Sequence, residues 1–455
     1  MSGSGDGRAA ASTASGAPVP VIEPAGAPSL REVLGAAAVS TGLRLREPDR
    51  PGVLTDAEAR AAASSWGILD PSRAERGAAR GGGTVVVLVD GLGLELLRER
   101  RGHTPTLRSW LADAEPFGSG LLSAPSGPGP AARTCVPSTT AAALTALGTG
   151  ALPGVTGMVG YSVRNPLLPT PAAGDVPNGD DDLCLITWEG RAPDPRAWQD
   201  VPTVFQRLEP DPALTRDATG QSAPLAVSVG PARFSGSGLT EAGLRGTRHL
   251  AADRLEDRPG IAVSALRRGT PLVYLYVGEL DHAGHGHGWR SQEWLRELER
   301  LDAAMAELVR RVPRGTRILL TADHGMVDTD AEHRVTVTDH PGLTADVAGI
   351  AGEPRMAQLY VPGGDPDLAL EVATRWREHL GERAAWVGTR AEADALLGPV
   401  SPRTETVLGD VLVAMAGTWV VIDPRVHSES AIAMPGVHGS ITPAETTIPL
   451  LLAQG

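Results

Sequence analysis

Thr84-Val-Val-Val-Leu-Val-Asp90 is an unbroken run of β-favouring residues closed by a carboxylate. A strand with one wet face alternates apolar and polar residues. This one does not, so it reads as a strand buried on both faces, as in a parallel sheet covered by helices. The pattern recurs twice. Pro271-Leu-Val-Tyr-Leu-Tyr-Val277 leads into Gly278-Glu-Leu-Asp281, and Thr316-Arg-Ile-Leu-Leu-Thr321 leads into Ala322-Asp323-His324-Gly325. Between these two, Leu295, Leu298, Leu301, Met305, Leu308 and Val312 recur at spacings of three and four, the stripe of an amphipathic helix. Strand, helix and strand of these lengths make a βαβ unit with a right-handed crossover. The expected fold is α/β: a three-layer sandwich around a mostly parallel sheet, with cap or insert segments near its functional edge.

Each of the three strands hands over to an acidic residue, and open α/β sheets bind ligands beyond the carboxyl ends of their strands. Asp90, Asp281 and Asp323 are therefore expected to converge. Histidines accompany them. His285 follows Asp281 by four residues in a Gly-rich stretch read as a loop, His324 adjoins Asp323, and His438 stands between Gly436-Val and Gly439. Carboxylates mixed with neutral imidazoles suit zinc, or manganese, better than magnesium or calcium. His282 and His287 flank His285 and are alternative ligands.

Composition narrows the chemistry. The 455 residues are 42% hydrophobic and 21% charged, enough for a sizeable core. All basic side chains are arginines; lysine does not occur. Schiff-base, P-loop and kinase-type lysine chemistry is thereby excluded. A net charge of −13, without a long basic tract, argues against a nucleic-acid polymer as partner. Two cysteines, Cys135 and Cys184, cannot form a disulfide framework. Neither a signal peptide nor an apolar run long enough to span a membrane is visible, so a cytoplasmic location is expected.

Along the chain, residues 1–27 read as a disordered tail of small residues, and 28–80 as a helical extension. Its patches are Leu30–Leu34 and Asp56–Ser65, with Asp56 as N-cap. A Gly81-Gly-Gly hinge opens the main domain, 81–455. Inserts are expected at about 160–250, which is loop-rich, and at 343–430. The second carries its own strand (Arg355–Val361), helix (Asp367–Leu380) and strand (Gly417–Ile422).

Five stretches in one order make the pattern specific: Val89-Asp90-Gly91, Pro137-Ser-Thr-Thr140 running to Thr149-Gly150, Glu279-Leu-Asp281 to His285, Ala322-Asp-His-Gly-Met326, and Gly436-Val-His-Gly439. Together they resemble the alkaline phosphatase superfamily, in particular its type I phosphodiesterase/nucleotide pyrophosphatase branch. The resemblance implies two divalent metals, one held by Asp281, His285 and His438, the other by Asp90, Asp323, His324 and the hydroxyl of Thr140. It also implies that Thr140, nine positions before Thr149, is the nucleophile rather than Thr139 or Ser138. Attack on a small phosphorylated substrate would form a phosphothreonine, which water hydrolyses in a second step.

A threonine hydroxyl is a weak nucleophile until a nearby dication lowers its pKa. Thr140 also opens an expected helix, Ala141-Ala-Ala-Leu-Thr-Ala-Leu, whose first amides favour an anion. Two departures bear on substrate. Relatives carry Lys before the nucleophile and Asn three after it, where this chain has Thr139 and Ala143; Thr139 or an arginine such as Arg133 is a candidate replacement. Cys135-Val-Pro-Ser-Thr139 begins like a sulfatase signature but has Thr where that signature needs Arg. Gly230-Pro-Ala-Arg-Phe-Ser235 is a candidate wall of the substrate site. Rival readings are a phosphonate or monoester hydrolase or phosphomutase of the same superfamily, and a catalytically silent metal-binding protein.

Overall fold

The computed structural model describes residues 27–69, 82–114, 130–209 and 223–455. The tail expected over 1–27 lies, apart from Ala27, outside the described residues, as do Gly81 and residues 70–80 of the extension.

The centre is a seven-stranded sheet. Its strands, in chain order, are β1 (Thr84–Val89), β2 (Ala131–Arg133), β3 (Ala226–Gly230), β4 (Arg248–Ala251), β5 (Leu272–Val277), β6 (Arg317–Ala322) and β11 (Thr447–Gln454), in spatial order β2-β11-β6-β1-β5-β3-β4. From β6 to β4 all neighbours are parallel; β11 runs antiparallel to β6 and β2. All six residues of β1 are buried, as a strand covered on both faces must be. β3 and β4 fall inside the loop-rich stretch 160–250 yet belong to this sheet. Their segments are short, and Ser228 on β3 bonds His249 on β4 (3.0 Å), so they lack the apolar signal of β1.

One helix group contains α1 (Leu30–Ser40), α2 (Asp56–Ser65) and α5 (Thr140–Thr149). The extension is thus part of the main core: α1 packs against both α5 and β1. The N-cap of α2 is Thr55, not Asp56. Thr55 Oγ1 accepts the Glu58 N–H at 3.1 Å while the Glu58 carboxylate takes the Thr55 N–H at 2.8 Å. Asp56 is the first helical residue and accepts from Leu45 N instead.

A second group contains α3 (Leu94–Arg100), α4 (Pro105–Ala114), α6 (Arg258–Arg267), α7 (Glu279–His287) and α8 (Gln292–Arg311). α8 buries Leu295, Leu298, Leu301, Met305 and Leu308, the stripe read from the sequence.

The chain leaves the central sheet after Ala322 and rejoins it at Thr447, and the stretch from Met326 to Gly436 forms a cap. Within it stands a small antiparallel sheet, β7 (Gly349–Glu353), β8 (Met356–Tyr360), β9 (Ala384–Thr389) and β10 (Val411–Met415), ordered β7-β8-β10-β9. Helix α9 (Pro366–Leu380) covers it, with Trp376 in a separate core beside Leu359 and Val413. The expected strand Gly417–Ile422 is not part of that sheet: Val420–Ile422 pairs with Arg334–Thr336 below it. The two ends of this cap meet in an antiparallel ribbon, Val327–Asp328 against Gly436–Val437. That ribbon brings His438 alongside His324, over a hundred residues away in the chain.

Among the described residues, no helix is long and apolar enough to cross a membrane.

Candidate active site

β1, β5 and β6 are adjacent and parallel, so their carboxyl ends lie side by side. Asp90 follows β1 and is 2% exposed; Asp323 follows β6 and is wholly buried. Gly91 N donates to Asp323 Oδ1 at 3.1 Å, and His324 N donates to the same oxygen at 2.9 Å. Gly325 permits the turn that brings both Asp323 and His324 inward, because a Cβ there would overlap the Ala444 carbonyl.

The Asp281–His285 stretch is helical rather than a loop. It forms most of α7, which starts directly after β5. The glycines have other uses: Gly284 admits Met326 against the helix, and Gly288 (φ +81°) ends it. Four-residue spacing then places Asp281 and His285 on one helical face. His285 Nε2 lies 3.4 Å from Asp281 Oδ2, and His438 Nε2 lies 3.8 Å from Asp281 Oδ1.

Two ligand-like clusters result, Asp281–His285–His438 and Asp90–Asp323–His324. They adjoin, since the His324 and His438 rings stack at 3.6 Å. Thr140, the first residue of α5, completes the group: its Oγ1 is 3.3 Å from His324 Nε2. All seven residues singled out in the sequence therefore meet. His282 and His287 are exposed and stand outside both clusters. Cys135 is buried, with its sulfur 3.7 Å from the Pro137 carbonyl. The Arg133 guanidinium is engaged by the Thr446 and Thr447 hydroxyls. Thr139 is the buried N-cap of α5 and Ala143 is buried within it.

The tautomers are set by the backbone. His285 Nδ1 donates to Gly436 O (2.8 Å), His324 Nδ1 to Gly325 O (3.0 Å) and His438 Nδ1 to Ser138 O (2.9 Å). In each neutral ring, Nε2 is then a bare lone pair, and all three Nε2 atoms face the carboxylates. Burial, with the neighbouring Asp323 and Asp281 charges, pushes the Asp90 carboxyl well above its usual range. Asp323 is raised by burial, against the opposing pull of His324. Burial, and then the His324 and His285 rings, pushes His438 well below the usual imidazole range. Asp90 Oδ1, Asp281 Oδ1 and Asp323 Oδ2 are buried acceptors without a donor among the described residues.

Sequence reading missed several contributors. Tyr276 on β5 donates its hydroxyl to Asp90 Oδ2 at 2.5 Å; burial and the Asp90 charge hold that phenol protonated. The signal was a pair of phenols, Tyr274 and Tyr276, inside an otherwise aliphatic strand. Ser138 supports His438 through its carbonyl, and Glu445 holds Gly325 N with its carbonyl (2.8 Å) and Ser440 N with Oε1 (3.0 Å). Of the stretch expected to line the substrate site, Phe234 meets Tyr276 edge-on at 5.4 Å, and the exposed Arg233 lies 4.9 Å over Phe234.

Comparison with curated proteins gives no match. Solved structures share the fold at low identity. The phosphonoacetate hydrolase of Sinorhizobium meliloti 1021, in complex with phosphonoformate, is 18% identical, covers 82% of this chain and 90% of its own, and has a TM-score of 0.56. Murine ectonucleotide pyrophosphatase/phosphodiesterase 5 is 14% identical over 81% of this chain and 87% of its own, with a TM-score of 0.54. An inactive variant of the murine protein in complex with AMP gives 0.53. The sequence profile described as "Type I phosphodiesterase / nucleotide pyrophosphatase" matches residues 84–440, most of the chain. The chain therefore belongs to the type I phosphodiesterase/nucleotide pyrophosphatase family and is a phosphoric ester hydrolase of that type.

Proposed function

We propose that the protein hydrolyses a phosphodiester or phosphoanhydride bond in a small substrate, with Thr140 as nucleophile and two divalent cations as cofactors. One observation carries the reading: carboxylates and imidazole Nε2 atoms face one another in two adjoining clusters, one of them against the Thr140 hydroxyl, and three of the carboxylate oxygens have no donor among the described residues. Three carboxylates so placed repel one another, and bare Nε2 atoms gain nothing from the contact. This donor set fits cations. Asp281, His285 and His438 would hold one, and Asp90, Asp323 and His324 the other, together with Thr140. The mixed nitrogen and oxygen set suits zinc first and manganese second.

When bound, such cations lower the pKa of the threonine hydroxyl and neutralise charge building on the phosphoryl oxygens. The chain's own residues do the rest. Thr140 Oγ1 forms a bond to phosphorus as the bond to the leaving oxygen breaks, giving a phosphothreonine. The first-turn amides of α5 point toward the same place and favour the anionic group. Water then cleaves the phosphothreonine and restores the hydroxyl. Tyr276 keeps Asp90 oriented throughout, and the three backbone carbonyls keep each imidazole in one tautomer.

The test is an assay with and without chelator against bis-nitrophenyl phosphate, a nitrophenyl nucleotide diester, nitrophenyl phosphate and a phosphonate, alongside Thr140→Ala. Chelator-sensitive turnover of a diester or anhydride, lost in the variant, is expected. Preference for the monoester or phosphonate would favour that branch of the superfamily, whose fold the chain shares. Full activity of Thr140→Ala would sink the mechanism.

A further inference from the structure

Beyond the clusters just described, one ion pair among the described residues is buried completely on both sides: Arg355 with Glu445. The partners come from different parts of the fold. Arg355 lies in the tight turn between β7 and β8 of the cap. Glu445 lies in the helical turn Pro443–Thr446 that feeds β11 of the central sheet. Their contact is a two-pronged fork, Arg355 Nε to Glu445 Oε1 at 3.0 Å and a terminal nitrogen to Oε2 at 2.6 Å. The other terminal nitrogen donates to the Trp419 carbonyl at 2.6 Å and the Ala416 carbonyl at 3.3 Å.

A buried pair of this kind is poor evidence for stability, because desolvation of both charges offsets their attraction. What Glu445 touches gives it another purpose. Its Oε1 also accepts Ser440 N, two residues past His438, and its Oε2 accepts the Thr442 hydroxyl. Its carbonyl accepts Gly325 N, the residue after His324. One residue thus grips both histidine-bearing loops. The grip extends to the nucleophile. Ser138 Oγ donates to Ser440 O at 2.6 Å, Ser138 N donates to Gly439 O at 3.1 Å, and Thr140 is two residues further on. Ser440 Oγ in turn donates to Met415 O, at the end of β10 in the cap.

We propose that Arg355 is a positioning residue: from the cap, it fixes the Glu445 carboxylate and so holds the His324–Gly325 loop, the His438–Ser440 loop and the Ser138–Thr140 segment in register. The cap thereby completes the metal centre from behind. A neutral side chain at this position would leave Glu445 a lone buried charge that must turn away or take up a proton, releasing Ser440 and with it His438. The proposal rests on the ligand assignment given above.

The experiment measures zinc stoichiometry and affinity by competition with a chromogenic chelator, together with melting curves, kcat and KM. The variants are Arg355→Met/Glu445→Gln, which leaves no unpaired charge while Gln can still accept from Ser440 N, and Arg355→Lys, which keeps the charge but loses the fork. Arg390→Met is the control, because it breaks another cap pair, Arg390–Asp410, with no link to the ligand loops. Expected are folded variants that bind at least one of two zinc ions about 10- to 100-fold more weakly, with lowered kcat, KM within about twofold of wild type, and an unaffected control. Folded variants holding both ions at wild-type affinity would overturn the positioning role alone. Failure of both Arg355 variants to fold would assign the pair to stability and overturn it too. Wild-type protein that takes up no zinc would instead remove the ligand assignment, and the proposal with it.

Discussion

His285 Nε2 and His438 Nε2 face each other at 3.3 Å, and a neutral ring at either position has no Nε2 proton to donate, because its one proton goes through Nδ1 to a backbone carbonyl. Two lone pairs brought that close, beside the Asp281 carboxylate, are stable only with positive charge between or beside them. The arrangement is imposed from outside the pair. Gly436 and Ser138, whose carbonyls accept the two protons, belong to the ribbon at the foot of the cap and to the segment leading into α5.

Under the proposed two-ion assignment, His285→Ala is expected to lower bound zinc from two ions per chain to one, since the Asp90–Asp323–His324 cluster shares no ligand with it. Asp323→Asn should give the complementary loss. Elemental analysis after reconstitution checks both. Retention of two tightly held ions in either variant would contradict the assignment.

The central sheet was legible because parallel strands buried on both faces are apolar throughout, so β1, β5 and β6 stand out and each hands its Asp to the same edge. β3 and β4 carry no such signal; Ser228, Arg248 and His249 make them look like loop. α7 read as loop because Gly284, Gly286 and Gly288 are ordinary helix breakers, whereas Gly284 serves the approach of Met326. The family resemblance, through its nine-residue spacing to Thr149, implied Thr140 rather than Thr139; in the structure Thr140 is the first residue of α5 and Thr139 its N-cap. Arg355 and Glu445 were not legible in principle. Their importance lies in what they touch ninety positions apart, and neither sits in a local pattern.

Thr140→Ala should lower kcat at least about 10³-fold, as loss of a nucleophile does in comparable enzymes. The Asp and His ligands are untouched, so zinc content should change little, and substrate should still bind. Thr140→Ser, which keeps the hydroxyl, should restore part of the rate. Single-turnover assays and elemental analysis separate these effects. A serine variant no better than alanine would argue that the hydroxyl is not the attacking group.

Tyr276→Phe removes the only hydrogen bond to Asp90 Oδ2 found among the described residues. An outer partner of a ligand carboxylate is typically worth about 10- to 100-fold in metal affinity or activity. The loss should appear in the ion held near Asp90, with the Asp281 cluster spared. Chelator competition checks it, and wild-type affinity would assign Tyr276 to packing against Phe234 alone.

Arg233 is exposed, with its guanidinium over Phe234, a stacking geometry from which its N–H edges can reach an oxyanion. Arg233→Ala is expected to raise KM about tenfold for substrates with a second anionic group, in line with a charged hydrogen bond, and to leave neutral diesters unchanged. Steady-state kinetics on the two substrate types distinguish this from a general defect. An equal effect on both would remove Arg233 from substrate choice.

Glu353 lies at the end of β7, where its carboxylate accepts the Tyr161 N–H at 2.7 Å and its other oxygen is buried without a partner among the described residues. Burial, with the Glu445 charge adding to it, pushes its pKa up to about 8 from 4.5. Asp182, on the neighbouring strand segment, is likewise raised by burial to about 8. A carboxyl raised on folding binds its proton more tightly in the native state than in the unfolded chain. Its contribution is fully present below the unfolded value and is lost as pH climbs through the folded one. Stability should accordingly fall between about pH 4.5 and 8 on account of Glu353. Glu353→Gln keeps an acceptor for Tyr161 N and cannot ionise. It should melt close to wild type at pH 5 and above wild type at pH 9, with the gap opening across the window in between. Thermal melts at fixed ionic strength measure this directly, and a gap that is the same at both ends would show that Glu353 does not titrate on folding.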